Sequence, residues 1–379
     1  MLTVLRVARC SLTDMQISSN TTGMEAGICV STDKEGYDYC VVVVKGTFSI
    51  EKEGDLILSK KQMPLIYADE HYGDPGSTAI KYECDFSPFK PRTDILVNGY
   101  AYSETGNPVT ETTVGLMVGS IKKIVKVFGD RVWEDSLTGY HPSQPKPFVK
   151  MPLTFDRAFG GSDYSHQNQK KHGAELRNLV GKGYYKNSDF DNVEKSPLPN
   201  LENPNELIKR WSDKPDPMGF GALGRGWQPK INYAGTYDKK WLDERFPFLP
   251  IDFDEQYFLS APEDQQLSSL EGGEAIRCFN MTADRVLTVM VPKIEIPVTY
   301  HFRDRTENVV PILDTLLIEP DENRVMLTWR CRVKLGRKLN ALREIKIGRI
   351  PIVPQKRNGK QYFKSIAELV IWKKENKVG

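Results

Sequence analysis

The chain lacks the long apolar run that a membrane helix requires. Its longest, Cys40–Val44, falls far short of the ~20 residues needed to cross a bilayer. It also lacks an excess of either charge: 52 Lys and Arg stand against 50 Asp and Glu, a net of +2 over 379 residues. No global field therefore draws it to nucleic acid or to an anionic membrane. Paired cysteines are missing as well. Cys10, Cys29, Cys40, Cys84, Cys278 and Cys331 show no CxxC spacing, which removes a zinc ribbon and leaves reduced, buried thiols in the cytoplasm as the expectation. Arg6 and Arg9 interrupt what would have to be the apolar core of a secretory signal.

Signatures of chemistry are equally scarce. There is no P-loop and no GxSxG; Gly160-Gly161-Ser162-Asp163 departs from the nucleophile elbow. The five histidines, His71, His141, His166, His172 and His301, form nothing like HExxH, so neither a metal nor a cofactor is expected. Gly219–Gly224 does spell GxGxxG, but Pro215 and Pro217 stand where the buried strand should lie. Gly226-Trp227-Gln228-Pro229 then stands where the helix should begin, so the context refutes a dinucleotide site. No internal repeat is present.

What the chain does have is strand pattern at both ends. Residues 27–33, 38–51 and 55–59 read as strands, with a turn at Glu53-Gly54-Asp55. Val41–Val44 are β-branched without alternation, which suits a strand covered on both faces. FKPRTDILVNGYAY reads as one further strand. Residues 114–134 read as two strands around Gly119-Ser120, with Ile121, Ile124, Val125 and Val127 facing inward in part and Lys122, Lys123 and Lys126 outward. Towards the end come hairpins turning at Ala283-Asp284 and at PDEN. In the second, Val325, Leu327, Trp329, Cys331 and Val333 share one face, and Arg330, Arg332 and Lys334 the other. Asn205–Trp211 could form at most two helical turns, and Tyr362–Asn376 carries helical spacing.

The middle is different. Lys214–Glu274 packs Trp227, Tyr233, Tyr237, Trp241, Phe246 and Phe248, then Phe253, Tyr257 and Phe258, among Gly, Pro and acidic residues with no sustained period. Disordered chains are poor in aromatics, so these rings should be pinned, and a long irregular segment in a compact protein is usually functional. The expected fold is mainly β with minor α: antiparallel sheets bridged by this irregular segment, with a short C-terminal helix. The regions divide as 1–145, 146–274 and 275–379, with one integrated domain as the alternative. Asp252, Asp254 and their acidic neighbours invite comparison with the paired carboxylates of a glycoside hydrolase. Carboxylates in such loops more often accept turn amides or pair with arginines, and Arg225 and Arg245 are at hand.

Several blocks carry a resemblance: Val44–Phe48, Phe89–Asp94, Val127–Trp133, Met151–Gly161, Leu198–Glu202, Gly235–Asp238, Trp241, Leu249–Asp254 and Ala261–Gln265. In order and coverage, from about Val41 to Arg332, the chain resembles the bacterial domain of unknown function 2169 proteins encoded beside type VI secretion effectors. The resemblance implies a cytoplasmic adaptor or chaperone, not an enzyme. It would hold an effector, often through a PAAR-like domain, and help load it onto the VgrG spike. No catalytic residues come with the family. A binder of this kind uses rigid aromatic anchors and desolvated arginines, which makes Arg225, Trp227, Tyr237, Trp241, Arg245, Asp252 and Asp254 the candidate contact residues. The rival expectation is a carbohydrate-active enzyme or lectin-like module built on the same acidic and aromatic segment.

Overall fold

The computed structural model describes residues 15–51, 54–137, 139–164, 167–185, 193–336, 341–349, 355–357 and 360–363. The strands of its three larger sheets are, in chain order, β1 (Gln16–Asn20), β2 (Glu25–Thr32), β3 (Asp38–Ile50), β4 (Leu56–Leu58), β5 (Thr93–Val97), β6 (Glu111–Val118), β7 (Ile121–Phe128) and β8 (Leu201–Glu202). They continue with β9 (Gln266–Leu267), β10 (Ala275–Phe279), β11 (Val286–Met290), β12 (Val298–Phe302), β13 (Thr306–Val309), β14 (Ile312–Glu319), β15 (Arg324–Lys334) and β16 (Leu342–Ile347). A seven-stranded sheet runs β9-β5-β14-β15-β3-β2, with β4 also on β3. A five-stranded sheet runs β8-β7-β6-β10-β11, and a four-stranded one β1-β16-β12-β13. Within these sheets pairing is antiparallel except for β5 with β14 and β1 with β16. Among the described residues the one α-helix is α1 (Lys239–Glu244). The protein is mainly β with minor α.

The valine run of β3 shows why the seven-stranded sheet forms where it does. Val41 to Val44 have no exposed surface. Val42 and Val44 face the main core, while Val41 and Val43 pack with Leu65, Cys29 and Phe86 on the opposite side. Each such side chain contributes about 1.5 kcal/mol or more on leaving water, and β-branching keeps the backbone extended. The hairpin to β4 closes as expected, pairing Ile50 with Leu56 around Gly54 at φ +85°. The Gly119-Ser120 turn joins β6 to β7, and the PDEN residues join β14 to β15.

Several expectations are corrected. Strict alternation along β7 turns Ile121, Lys123, Val125 and Val127 inward and leaves Ile124 exposed. Lys123 is tolerated inside because Asp264 and Gln265 accept its ammonium at 3.0 and 2.7 Å. Arg330 is buried too, because the second face of β15 is covered, and it pairs with Asp314 of β14. FKPRTDILVNGYAY is not one strand: after β5 it breaks at Asn98-Gly99, and Tyr100–Tyr102 pairs instead with Lys150–Pro152. Asn205–Trp211 forms no helix. Tyr362 ends a short strand, Lys360–Tyr362, and the rest of the expected C-terminal helix, from residue 364, lies outside the described residues. No described helix is long and apolar enough to cross a membrane.

Loops cover the second face of the seven-stranded sheet and bring charge with them. Lys90 Nζ lies 2.7 Å from Asp94 and 3.0 Å from Glu83, and Lys230 reaches Glu83 at 3.2 Å. Lys45 pairs with Asp85 at 2.8 Å, and Arg330 donates to the Asp85 carbonyl at 2.8 and 3.0 Å. Asp94 also accepts the amides of Ser260 and Ala261 at 2.9 and 3.1 Å. These contacts tie the central segment to the sheet. Burial works to raise the Glu83 pKa, but the charges of Lys90, Lys230 and Arg225 outweigh it and hold the carboxyl well below the usual carboxylate range.

Candidate functional site

Residues 227–258 remain irregular in three dimensions, yet they are held at nearly every turn by bonds to backbone groups. Trp227 is buried and meets the Phe155 ring edge-on at 5.5 Å. Lys230, buried on Glu83, opens a short 3-10 helix, Lys230–Ala234. Gly235 follows at φ +80°, where a Cβ would lie 2.9 Å from Pro250 and 3.0 Å from the Asp252 carboxylate. Only glycine takes both that backbone and that closeness. Thr236 then donates its amide and hydroxyl to Asp252 at 3.0 and 2.7 Å. Those two bonds, the amide first, hold Asp252 below the usual carboxylate range.

The next turn builds a projecting ridge. Asp238 caps α1 by accepting the Trp241 amide at 2.8 Å. The Trp241 indole donates to the Phe248 carbonyl at 2.9 Å, and its ring stands edge-on to Tyr237 at 4.7 Å and to Phe246 at 5.8 Å. Arg245 donates to the carbonyls of Lys34 and Leu249, and Lys34 returns a bond to the Phe253 carbonyl at 3.3 Å. Asp254 caps the following turn through the Gln256 amide at 2.8 Å. The result is a fixed scaffold with apolar groups on its outside. Phe246 is 62% exposed, Ile251 72%, Leu242 58% and Phe248 44%. Beside them lies a cleft of about 610 Å³, lined by Asp33, Lys34, Glu35, Asp254, Glu255 and Arg332 among others. Arg332 pairs with Glu255 at 3.1 Å and lies over the rings of Phe89 and Tyr39.

The candidate residues therefore separate. Tyr237, Trp241, Arg245, Asp252 and Asp254 come together at the ridge and cleft. Arg225 stands apart, gripping Asp69 through two bonds of 2.8 and 2.9 Å, and Trp227 belongs to the core. Asp252 and Asp254 accept bonds from their own loops, and both line the cleft. The rings were expected to be pinned; Phe253 and Phe258 are buried, whereas Phe246 and Phe248 are not. The candidate list missed Phe246, Phe248, Ile251 and the loop at Asp33–Glu35. The available signal was Phe246-Pro247-Phe248-Leu249-Pro250-Ile251, in which two prolines stiffen an apolar stretch that has no period to bury it. Among the described residues no group of three or more His, Cys, Asp or Glu is placed to hold a metal ion.

The protein is thus a β-rich scaffold that carries an irregular, internally bonded segment with apolar side chains exposed on it. The chain belongs to the family described as "Uncharacterized protein conserved in bacteria (DUF2169)", whose model matches residues 35–330. That span contains the seven-stranded sheet's central strands, the buried charges and the ridge. No curated protein and no solved structure matches the chain.

Proposed function

We propose that this chain is a cytoplasmic accessory protein of type VI secretion, an adaptor or chaperone. In this reading it holds an effector, through a PAAR-like domain, and assists its loading onto the VgrG spike. The observation that carries the reading is the ridge, where four large apolar side chains stand in solvent on a backbone fixed by side-chain caps and carbonyl bonds. Exposed apolar groups cost solubility, and a contiguous set of them marks a surface that another molecule covers. Rigid anchors lose little entropy on binding, and aromatic side chains are enriched among interface hot spots. The carbohydrate-active alternative needs a carboxyl kept protonated by a raised pKa; the bonds to Asp252 push it the other way. Co-expression with the effector encoded beside this gene should yield a stable complex, and deletion of the gene should stop secretion of that effector. A failure to co-purify together with unimpaired secretion ends the proposal.

A further inference from the structure

The ridge and the cleft form one continuous surface. Leu249, Asp252 and Phe253 line the cleft, while Phe248 and Ile251 beside them in the chain stand on the ridge. A methyl at Gly36 would touch the Phe248 ring at 3.4 Å, so the loop after Asp33 closes the gap between the two. This surface differs in charge from the whole protein, which carries a net of +2. Within Asp33–Asp38 and Asp238–Glu255 carboxylates outnumber cations. Of those cations, Lys34 and Arg245 already donate to the chain's own carbonyls, and in the cleft wall Arg332 is held by Glu255. Glu35, Asp243 and Glu244 are exposed with no ion pair among the described residues, as are Lys239 and Lys240 on α1, so the excess of carboxylates lies in the cleft wall, where Asp33, Glu35, Asp252, Asp254 and Glu255 stand against Lys34 and Arg332.

From this we infer that the occupant is a polypeptide segment of the partner in which apolar side chains alternate with lysine or arginine. The apolar side chains cover Phe246, Phe248 and Ile251, and the cations enter the acidic cleft. The inference rests on the adaptor reading for the partner's identity, and on the surface alone for its chemistry. The cleft's size suits a few extended side chains rather than a domain. Complementary charge raises the encounter rate and excludes partners of the wrong sign. An anionic lipid surface or a nucleic acid would meet repulsion here, because both present negative charge.

The test uses two fluorescent twelve-residue peptides with the same leucine and phenylalanine positions, one with lysine at every alternate position and one with glutamate. Fluorescence anisotropy with the full chain should show a preference for the lysine peptide of at least about tenfold, shrinking as salt screens the charges. Glu35→Lys/Asp243→Lys/Glu244→Lys should abolish the preference, and Phe246→Ser/Phe248→Ser should weaken binding of the lysine peptide, each with an unchanged unfolding midpoint. Equal affinity for the two peptides, no binding of either, or a preference that survives the charge reversal overturns the inference. So does self-association in light scattering that the Phe246→Ser/Phe248→Ser variant removes, since a second copy would then be the occupant. Should the lysine peptide bind as described while the effector does not, the surface chemistry stands and the adaptor reading alone falls.

Discussion

Two regions of this protein invert the usual partition of side chains. Under the second face of the seven-stranded sheet, Lys45, Lys90, Lys230 and Arg330 are buried with Glu83, Asp94 and Asp314. At the ridge, Phe246, Phe248 and Ile251 stand in water. The buried ions are satisfied many times over, and their partners come from segments far apart in the chain, as with Lys90 and Ser260. The ridge side chains make few contacts of their own, although the backbone beneath them is firmly bonded. Two of the blocks that carry the resemblance fall here: Phe89–Asp94 supplies Lys90 and Asp94 to the buried network, and Leu249–Asp254 supplies Ile251 to the ridge and Leu249 and Asp252 to the cleft. A buried ion pair is weak evidence of net stability but is costly to break, whereas an exposed ring adds little stability and gains its value when covered. The comparison thus separates what holds the fold from what the fold presents.

The strongest way to break it is Asp94→Ala. Losing that carboxylate leaves Lys90 buried with only part of its charge answered, and unfolding by denaturant should show a loss of about 3–5 kcal/mol. A loss under about 1 kcal/mol would mean that water reaches the site and that the region is not a sealed network. Trp227→Ala should cost a similar amount, about 3–5 kcal/mol, through the cavity it opens against Phe155, whereas Trp241→Ala should cost about 1 kcal/mol. Equal effects at the two tryptophans would erase the distinction between core and ridge.

A pH series sharpens the same contrast. Because the folded-state pKa of Glu83 is depressed, its contribution is fully present above its unfolded value of about 4.3 and is lost as pH falls towards the folded one. Glu83→Gln should therefore be less stable than the parent at neutral pH, with the gap closing progressively as pH falls below about 4, in chemical denaturation. A stability gap that stays constant with pH would contradict the assignment. The smallest stability effect belongs to Phe246→Ser/Phe248→Ser, expected within about 0.5 kcal/mol of the parent by thermal unfolding.

Much of the sheet framework is legible in the residues. The valines of β3, the Gly119-Ser120 turn and the PDEN connection each state their structure through period and turn chemistry. Lys123 and Arg330 do not. Alternation sets Lys123 among the inward Ile121 and Val125 and sets Arg330 on the face opposite Trp329, and a lysine or arginine in either place reads as outward until its partner or cover is known. For Lys123 that partner, Asp264, is 141 residues away. The ridge was hidden for a related reason. A segment without period does not say which ring packs inward, and Trp227 is settled by Phe155 across the fold while Phe246 meets Trp241 of the same segment. Asp252 and Asp254 were visible as a pair in the sequence, but their work as acceptors for Thr236 and Gln256 depends on loop geometry that spacing does not encode.

The most direct test sets binding against stability in one variant. The affinity of the proposed effector partner for the parent chain and for Phe246→Ser/Phe248→Ser should differ by at least about tenfold, or roughly 1.4 kcal/mol, with no shift in the unfolding midpoint of the free chain. Unchanged affinity, or an unfolding midpoint that falls in step with it, would show that these rings serve the fold and dock nothing.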